Sequence, residues 1–581
     1  MTFRSWWRES LAAIAVLVSR LVTLPRTPWE HDEFLFIQAV RDFNPAQFRP
    51  HPPGYPLYVL LAKLFNLAIH NPFVSLITVS VIACVAGVIA LSRAFRNLTG
   101  DADLAVCGAL LFYFSAGMLV HSPLALADAT AIAFIAATFW ALSAMPANVT
   151  AALAGACAAA AIGCRPQLAI PVLPALLVAL FAIRYTNRQR LIGVIAFIAV
   201  CFLWFIPLLV ASGGWDAFVE CQFRQASYFA THDAAQSRGA ANLPHIAMRF
   251  LFHPWGSKLI SLPLFACVAI GTLPLFRKRH RALLPLIVFC ALHLAFAIAA
   301  MDPADAVRYA LPGLLLFALM AASALRMAGR AMPWIGTIAF ASLSLWYCWP
   351  ILGERRVNPS PAVAAIEYAE REMPPNTIVL AQTGLVPAVE TLLPRRVWRG
   401  MNGGMIRAGS QPRIPAILLF DGETHDPDAI TFAWRDSDAY RKLTRNVLRT
   451  VTLDVLRAEE RYVPLKGMFA VESAEGQTWR WMERDAVLQV PAIGRNSVTI
   501  DLQLSPTTPY ATNDVQLLID GKVATILRAR RDAPVRATLP VKPNAPTNIT
   551  LHAAQSFRPD DVLHNRDRRV LAVELVGLEQ H

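Results

Sequence analysis

Over its first 352 residues the chain is a succession of apolar runs, and no other feature limits what it can fold into as strongly. Runs of membrane-spanning character begin near residues 8, 72, 102, 124, 148, 167, 190, 258, 282, 309 and 332. A bilayer core is about 30 Å thick and asks for roughly 20 apolar residues per helix. Inside it every backbone polar group must be satisfied within the segment, so such runs are expected as helices. This reading gives eleven spans. The composition agrees: 55% of the residues are hydrophobic and 16% charged, where soluble proteins carry about 25% charged residues. The length, 581 residues, exceeds the roughly 250–300 residues of a single soluble domain, and the apolar content excludes a disordered chain. Arg20 interrupts the first run and no small-residue cleavage site follows it, so it reads as a span and not as a signal peptide.

Charge is distributed by topology. Residues 1–352 carry 24 Lys and Arg against 13 Asp and Glu, and the remainder 29 against 27. In the apolar part the basic residues form five clusters: Arg4 and Arg8; Arg93 and Arg96; Arg184, Arg188 and Arg190; 277-RKRHR-281; and Arg326 and Arg330. With eleven spans and a cytoplasmic N-terminus, all five fall on the cytoplasmic side, as the positive-inside rule requires. The basic balance therefore reflects membrane orientation and not nucleic-acid binding. The same count places the C-terminal part outside, in the periplasm or at the exterior of an inner (plasma) membrane. Of nine cysteines only Cys221 lies outside an apolar run, and there is no CxxC. Neither a disulfide framework nor a zinc site is expected.

Beyond residue 352 the pattern changes. The segment 361-PAVAAIEYAEREM-373 has helical periodicity and 376-NTIVLAQTG-384 reads as a strand and turn. From 469 onward alternation near period two recurs in 487-VLQV-490, 498-VTIDLQL-504, 515-VQLLIDGKVATI-526, 548-NITLHAA-554 and 570-VLAVELVGL-578. Asp520-Gly521 is a hairpin signal. Three parts are thus expected: a membrane domain over 1–352, an extracytoplasmic α/β region over 353–468 and a β-sandwich of jelly-roll type over 469–581. The ending, 557-FRP-559 with 567-DRRVLAVEL-575, resembles the last strands of galactose-binding-like sandwich modules; a packing domain without ligand fits it equally.

The chemistry is concentrated in the external loops. Asp32 and Glu33 follow the first span in 28-PWEHDEFLFIQAV-40, and ionisable residues at a membrane face are costly and usually functional. The same loop continues as 48-FRPHPPGYPLY-58, where Pro52, Pro53, Gly54 and Tyr55 form a stiff turn, because proline fixes φ and glycine allows positive φ. A stiffened aromatic loop holding carboxylates against the bilayer suits a reaction site; a solvated interfacial loop is the alternative. Asp128 opens the fourth span, as a site carboxylate or a helix-packing group. Arg165 and Arg308 lie on the external side and break the charge bias. A phosphate headgroup would explain them, since arginine binds phosphate bidentately; so would ion pairs, with Asp302 or Asp305 as partners of Arg308. His31, His51 and His121 share this side and add donors that a divalent ion could use, although their spacing matches no metal motif. No phosphate loop, dinucleotide fingerprint or HExxH is present.

One apolar helix, an Asp-Glu pair in the first external loop and then 51-HPPGYPLY-58 resemble the GT-C superfamily of membrane glycosyltransferases. Within it, HPPGYP looks most like the protein O-mannosyltransferase-like membrane proteins of the DUF2723 type; the wider class includes the protein mannosyltransferases and the aminoarabinose transferases of lipid A. The stretches RPQ at 165 and RYALP at 308 look like further pieces of the pattern, which covers about residues 8–325. The resemblance implies a sugar donor carried on a polyprenyl phosphate in the outer leaflet, Asp32 as the base with Glu33 beside it, and His51 and Arg308 as contacts to the donor phosphate. It implies no nucleotide cofactor, because the lipid brings the activated sugar. A transporter of lipid-linked sugars and a membrane-anchored glycan-binding or assembly protein are the rival readings.

Overall fold

The computed structural model of the chain describes residues 6–183, 185–233, 243–373, 378–393, 398–401, 412–421, 430–444, 450–457, 462–474, 477–492, 494–531, 533–563 and 569–581. Two compact units are present: Met1–Ser360 with Arg435–Val447, and Pro361–Trp434 with Leu448–His581. The first boundary lies eight residues past the expected one, and a segment from the expected α/β region returns to the membrane unit.

The membrane unit begins with α1 (Trp7–Val22), α2 (His31–Arg41), α3 (Pro56–Ile69), α4 (Pro72–Thr99), α5 (Ala102–Tyr113), α6 (Ala116–His121), α7 (Asp128–Ser143) and α8 (Asn148–Cys164). It continues through α9 (Ala169–Ala182), α10 (Asn187–Ala211), α11 (Trp215–Tyr228), α12 (Leu243–Phe252), α13 (Lys258–Ala300), α14 (Ala306–Ala310), α15 (Leu315–Met327) and α16 (Met332–Val357). Among the described residues six stretches are long and apolar enough to cross a membrane: Pro72–Thr99, Asn187–Ala211, Lys258–Arg277, Arg281–Ala300, Pro303–Met327 and Met332–Glu372. The other five expected spans correspond to shorter helices, α1, α5, α7, α8 and α9, of 12 to 17 residues, and the loop between the first two expected spans contains a sixth, α3. Helix length alone thus supports six spans and does not establish eleven. Local capping explains some of the shortening. Ser115 ends α5 and opens α6 by accepting a hydrogen bond from the Met118 N–H, which a continuous helix would not need.

Helix α13 carries two spans because it doubles back. A straight helix would separate Phe265 and Leu294 by more than 40 Å, at about 1.5 Å per residue. Yet Phe265 lies 5.8 Å from Phe317, Gly271 meets the Met320 backbone, and Leu294 meets Gly313. Both halves therefore pack on the stretch from 313 to 324, in opposite directions.

The bundle has two chemically distinct ends. At one, Arg8 bonds Asp103 and Arg326 bonds Asp101, each at 2.6 Å. There Arg96 reaches Glu9 at 3.3 Å, and Arg93 lies 4.0 Å from the Trp6 ring centroid. Three of the five basic clusters thus meet. Helices α4 and α7 run away from that end, joined near it by the Asn97–Ser143 hydrogen bond, and α7 begins at the opposite end with Asp128.

The second unit contains α17 (Pro361–Glu372), β1 (Ile378–Gln382), α18 (Val386–Leu392), β2 (Trp398–Met401), β3 (Pro412–Asp421), β4 (Ile430–Ala433) and β5 (Thr450–Arg457). Its first sheet runs β2-β1-β3-β5-β4, parallel across β2, β1 and β3 and antiparallel beyond. The intervening α19 (Asp438–Leu443) belongs to the membrane unit. Then come β6 (Val463–Ala474), β7 (Gln477–Val490), β8 (Ser497–Gln503), β9 (Thr512–Ile519), β10 (Lys522–Arg530), β11 (Val535–Pro540), β12 (Thr547–Ala553) and β13 (Val573–Gln580). These form an antiparallel sheet ordered β10-β9-β12-β7-β13-β8-β11, with β6 on β7. The sheet curls until β10 and β11 approach each other, which makes a sandwich around Leu488, Ile500, Leu517, Ile549 and Leu551, all fully buried. The Asp520-Gly521 hairpin forms as expected, with positive φ at both residues and Ile519 paired with Lys522.

The doubled α13 depends on a close approach at Gly271, where a Cβ would stand 1.9 Å from the Met320 carbonyl oxygen. Gly271→Val is expected to lower the thermal unfolding midpoint in detergent, at an overpacking cost of about 1–3 kcal/mol. An unchanged midpoint would mean that these helices do not touch there.

Candidate functional site

The loop after α1 is built around one carboxylate. Glu33 is fully buried. Its Oε2 accepts hydrogen bonds from the Trp29 and Glu30 N–H groups at 2.6 and 2.9 Å, and its Oε1 from the Ala125 N–H at 2.8 Å. The first two bonds cap α2 at its N-terminus, where four N–H groups lack helical partners. The third ties the loop to the turn before α7. Burial pushes the Glu33 carboxyl up to about 7; the nearby Glu30 charge adds to this and the three N–H groups oppose it.

Aromatic packing fixes the second half of the loop. Phe36 of α2 meets Tyr55 and Tyr58 edge-on, each at 5.2 Å between centroids, and His51 at 6.3 Å. The Tyr58 hydroxyl lies 3.3 Å from both the Leu76 carbonyl and the Ser80 hydroxyl. Pro52 and Pro53 are joined by a cis peptide bond. Gly54 and Tyr55 both have positive φ, 98° and 47°, so the HPPGY stretch reverses sharply and brings His51 back over α2. There His51 Nε2 is 3.0 Å from the Tyr55 hydroxyl and His51 Nδ1 is 3.8 Å from Asp32. Burial holds the His51 imidazolium below its usual range, and Arg308 adds to this against the attraction of Asp32. Burial pushes the Tyr55 phenol up to about 12.

Arg308 stands at the centre of the charged groups. Its Nη1 donates to Glu30 and Asp32 at 3.1 Å, and its Nη2 donates to Asp32 at 3.1 Å, Asp305 at 3.0 Å and the Tyr309 hydroxyl at 3.2 Å. Burial raises the Glu30 carboxyl, but hydrogen bonding to His121 and the Arg308 charge outweigh it and hold it low. For Asp32 burial is likewise outweighed, by His51 and Arg308, and the carboxyl is held far below its usual range. Asp32 is the most open of these groups, with 24% of its side chain exposed against 8% for Glu30. Behind Glu30, His121 Nδ1 stands 3.4 Å away, and His121 Nε2 bonds the Leu443 carbonyl at 2.8 Å. The returning segment thus reaches the site, and Tyr347 fixes it further by donating to Asp438 at 3.1 Å.

The second guanidinium joins through an aromatic ring. Arg165 pairs with Asp128. Both are buried. Arg165 lies 5.3 Å from the Tyr309 ring centroid, and Arg308 lies 5.0 Å from the same ring. Gln167, oriented with its amide oxygen toward Arg165, accepts from Nη2 and Nε at 3.1 and 3.2 Å. Asp32, Arg308, Tyr309, Arg165 and Asp128 are therefore consecutive members of one contact chain.

The structure brings Asp32, His51, Asp128, Arg165 and Arg308 together, with Tyr55 beside His51. Glu33 stands apart in role, since backbone N–H groups occupy both its oxygens. Glu30 and Tyr309 are site members that the motif reading passes over. Glu30 lies in the same acidic run, two residues before Asp32, and Tyr309 adjoins Arg308, so proximity in sequence was the available signal. The ion pairs considered for Arg308 include one that forms, with Asp305, and Asp128 is the partner Arg165 takes. His51 and His31 act on Asp32, and His121 on Glu30. Among the described residues no group of three or more His, Cys, Asp or Glu side chains is arranged to hold a metal ion.

A buried N–H group left without its partner costs about 1–3 kcal/mol. Glu33→Ala leaves three such groups and should destabilise the fold by at least about 3 kcal/mol. Asp32→Asn, at the open edge, should shift the unfolding midpoint much less. Thermal unfolding of both variants in detergent measures the contrast.

No family model and no curated protein matches the sequence. Solved structures do match the fold. The chain is similar to ArnT from Cupriavidus metallidurans bound to undecaprenyl phosphate, with a TM-score of 0.52 and 12% identity, over 78% of this chain and 98% of that one. The apo structure of the same protein gives a TM-score of 0.50 over the same shares, also at 12% identity. Together with the helical bundle and the β-rich C-terminal part, this likeness shows that the chain has a fold of the GT-C type.

Proposed function

We propose that the chain is a glycosyltransferase that moves a sugar from a polyprenyl-phosphate donor to an acceptor hydroxyl at the outer face of the membrane. The observation that carries this reading is the Asp32–Arg308–Tyr309–Arg165–Asp128 chain at one end of the bundle, in a fold shared with a protein that binds undecaprenyl phosphate. Charges gathered at a bundle end suit transfer at a membrane face better than transport through the bilayer, which would require them midway. The membrane domain, 1–352 with the returning segment, would carry the reaction, and the domains beyond it would stand outside.

Glycosyl transfer passes through an oxocarbenium-like state. It needs a base for the acceptor proton and cations for the charge that grows on the leaving phosphate. Asp32 is the partly exposed carboxylate and would take the proton. In the free protein its basicity is suppressed by His51 and Arg308. An arriving phosphate competes for that guanidinium and draws it from Asp32, so donor binding itself would raise the basicity of Asp32. Arg165, held by Asp128, lies 5.3 Å from the Tyr309 ring centroid and would supply the second cation. His51, whose protonated form burial disfavours, would give the phosphate a hydrogen bond. One base without a covalent nucleophile implies inversion at the anomeric carbon. Pro52, Pro53, Gly54 and Tyr55 would hold His51 in place, and Glu33 would hold α2. The lipid bilayer supplies the donor, and no nucleotide enters.

The test is a transfer assay with purified protein and radiolabelled polyprenyl-phosphate sugars. General-base catalysis contributes about 10²–10⁴-fold, so Asp32→Asn should lose turnover by that order with the fold intact. Equal transfer by wild type and variant would remove Asp32 from the role, and no transfer from any donor by folded wild type would sink the reading. A second prediction concerns pH. Arg308 depresses Asp32, so Arg308→Gln should move the acid limb of the kcat/KM profile upward while lowering the maximum. An unmoved limb would dissociate the two groups.

A further inference from the structure

A second feature lies at the far end of α8 from Arg165. A cavity of about 230 Å³ opens between α8, α9 and α10, lined by Leu142, Ala154, Leu173 and Phe197, with Tyr185 and Arg190 at its mouth. Gly155 and Gly193 hold α8 against α10, where a Cβ on Gly155 would stand 2.0 Å from the Gly193 carbonyl oxygen. Ala154 lies about ten residues before Arg165, or roughly 16 Å along the helix axis. The cavity is apolar and open on one side, and such a lining offers water too few polar partners to hold it in order. Its natural occupant within a membrane is a hydrocarbon chain.

The mouth specifies the head. Arg188 and Arg190 occupy the first turn of α10. The helix dipole makes this the wrong end for cations and the right end for an anion. The first turn holds no acidic residue, and among the described residues no carboxylate pairs with either arginine. Arg190 Nε is buried without a hydrogen-bond partner, and an unmet buried donor of this kind is costly.

We infer that this cavity binds an anionic membrane phospholipid, with one acyl chain between α8, α9 and α10 and the phosphate on Arg190 at the start of α10. The site is separate from the Asp32 cluster, and its occupancy does not require that cluster to be catalytic.

Native mass spectrometry of the detergent-purified protein tests it, with phosphatidylglycerol or phosphatidylcholine added. Phosphatidylglycerol should be retained preferentially. Arg190→Gln should weaken that retention about tenfold or more, the loss of one charge-assisted contact, and leave phosphatidylcholine unchanged. Ala154→Phe, which fills the cavity, should remove the bound lipid while Asp32-dependent transfer persists. If Ala154→Phe fails to fold, Arg190→Gln alone decides. Equal retention of the two lipids, no effect of Arg190→Gln, or retention of polyprenyl phosphate in place of phospholipid would each overturn the assignment.

Discussion

A single guanidinium holds the site together. Arg308 is buried among Glu30, Asp32 and Asp305 and is the one cation that all three carboxylates share among the described residues. Removing one partner of a buried charge group leaves the others uncompensated, which is far costlier than losing an exposed pair. The arrangement draws the loop after α1 toward the short helix that opens the span at 303. Two segments about 275 residues apart in sequence are thereby fixed to each other by electrostatics. His121 and Arg355 carry the compensation further: His121 flanks Glu30, and Arg355 donates to the Val120 carbonyl at 2.7 Å beside it.

Such clustering also decides how the site can work. A carboxylate clamped by arginine is stable and weakly basic; the same carboxylate released from arginine is a competent base. The first loop contains both a carboxylate of this exchangeable kind and one that is locked. Asp32 faces solvent at one edge and shares Arg308 with two others. Glu33, its neighbour in sequence, has both oxygens committed to backbone N–H groups and serves as a strut. Adjacent residues of like chemistry thus take different roles because successive side chains on α2 point about 100° apart.

The two ends of the bundle show the same economy of charge. At one end arginines meet Asp101, Asp103 and Glu9 in partly exposed pairs, of the sort that contribute little to stability. At the other the charges are buried, convergent and coupled through the ring of Tyr309. Two residues of the returning segment are fixed at this second end, Leu443 by its carbonyl on His121 and Asp438 by Tyr347.

Much was legible in the residues themselves. Apolar run length announced a multi-pass membrane protein, because no other environment accepts such runs. Period-two alternation announced the β domain, and Asp520-Gly521 its hairpin, because both are local consequences of strand geometry. The motif residues of the first loop and the two isolated arginines marked the site. What the sequence could not decide is long-range. It did not separate Asp32 from Glu33, since their difference lies in the Ala125 N–H, about 90 residues away. It did not pair Arg165 with Asp128 or set Tyr309 between the arginines, since those contacts arise only when α7, α8 and the 303–327 span pack. Nor did it show that 435–447 returns to the membrane unit. Local pattern follows from the periodicity of single elements; partnership among buried charges follows from which elements meet, and only the tertiary structure determines that.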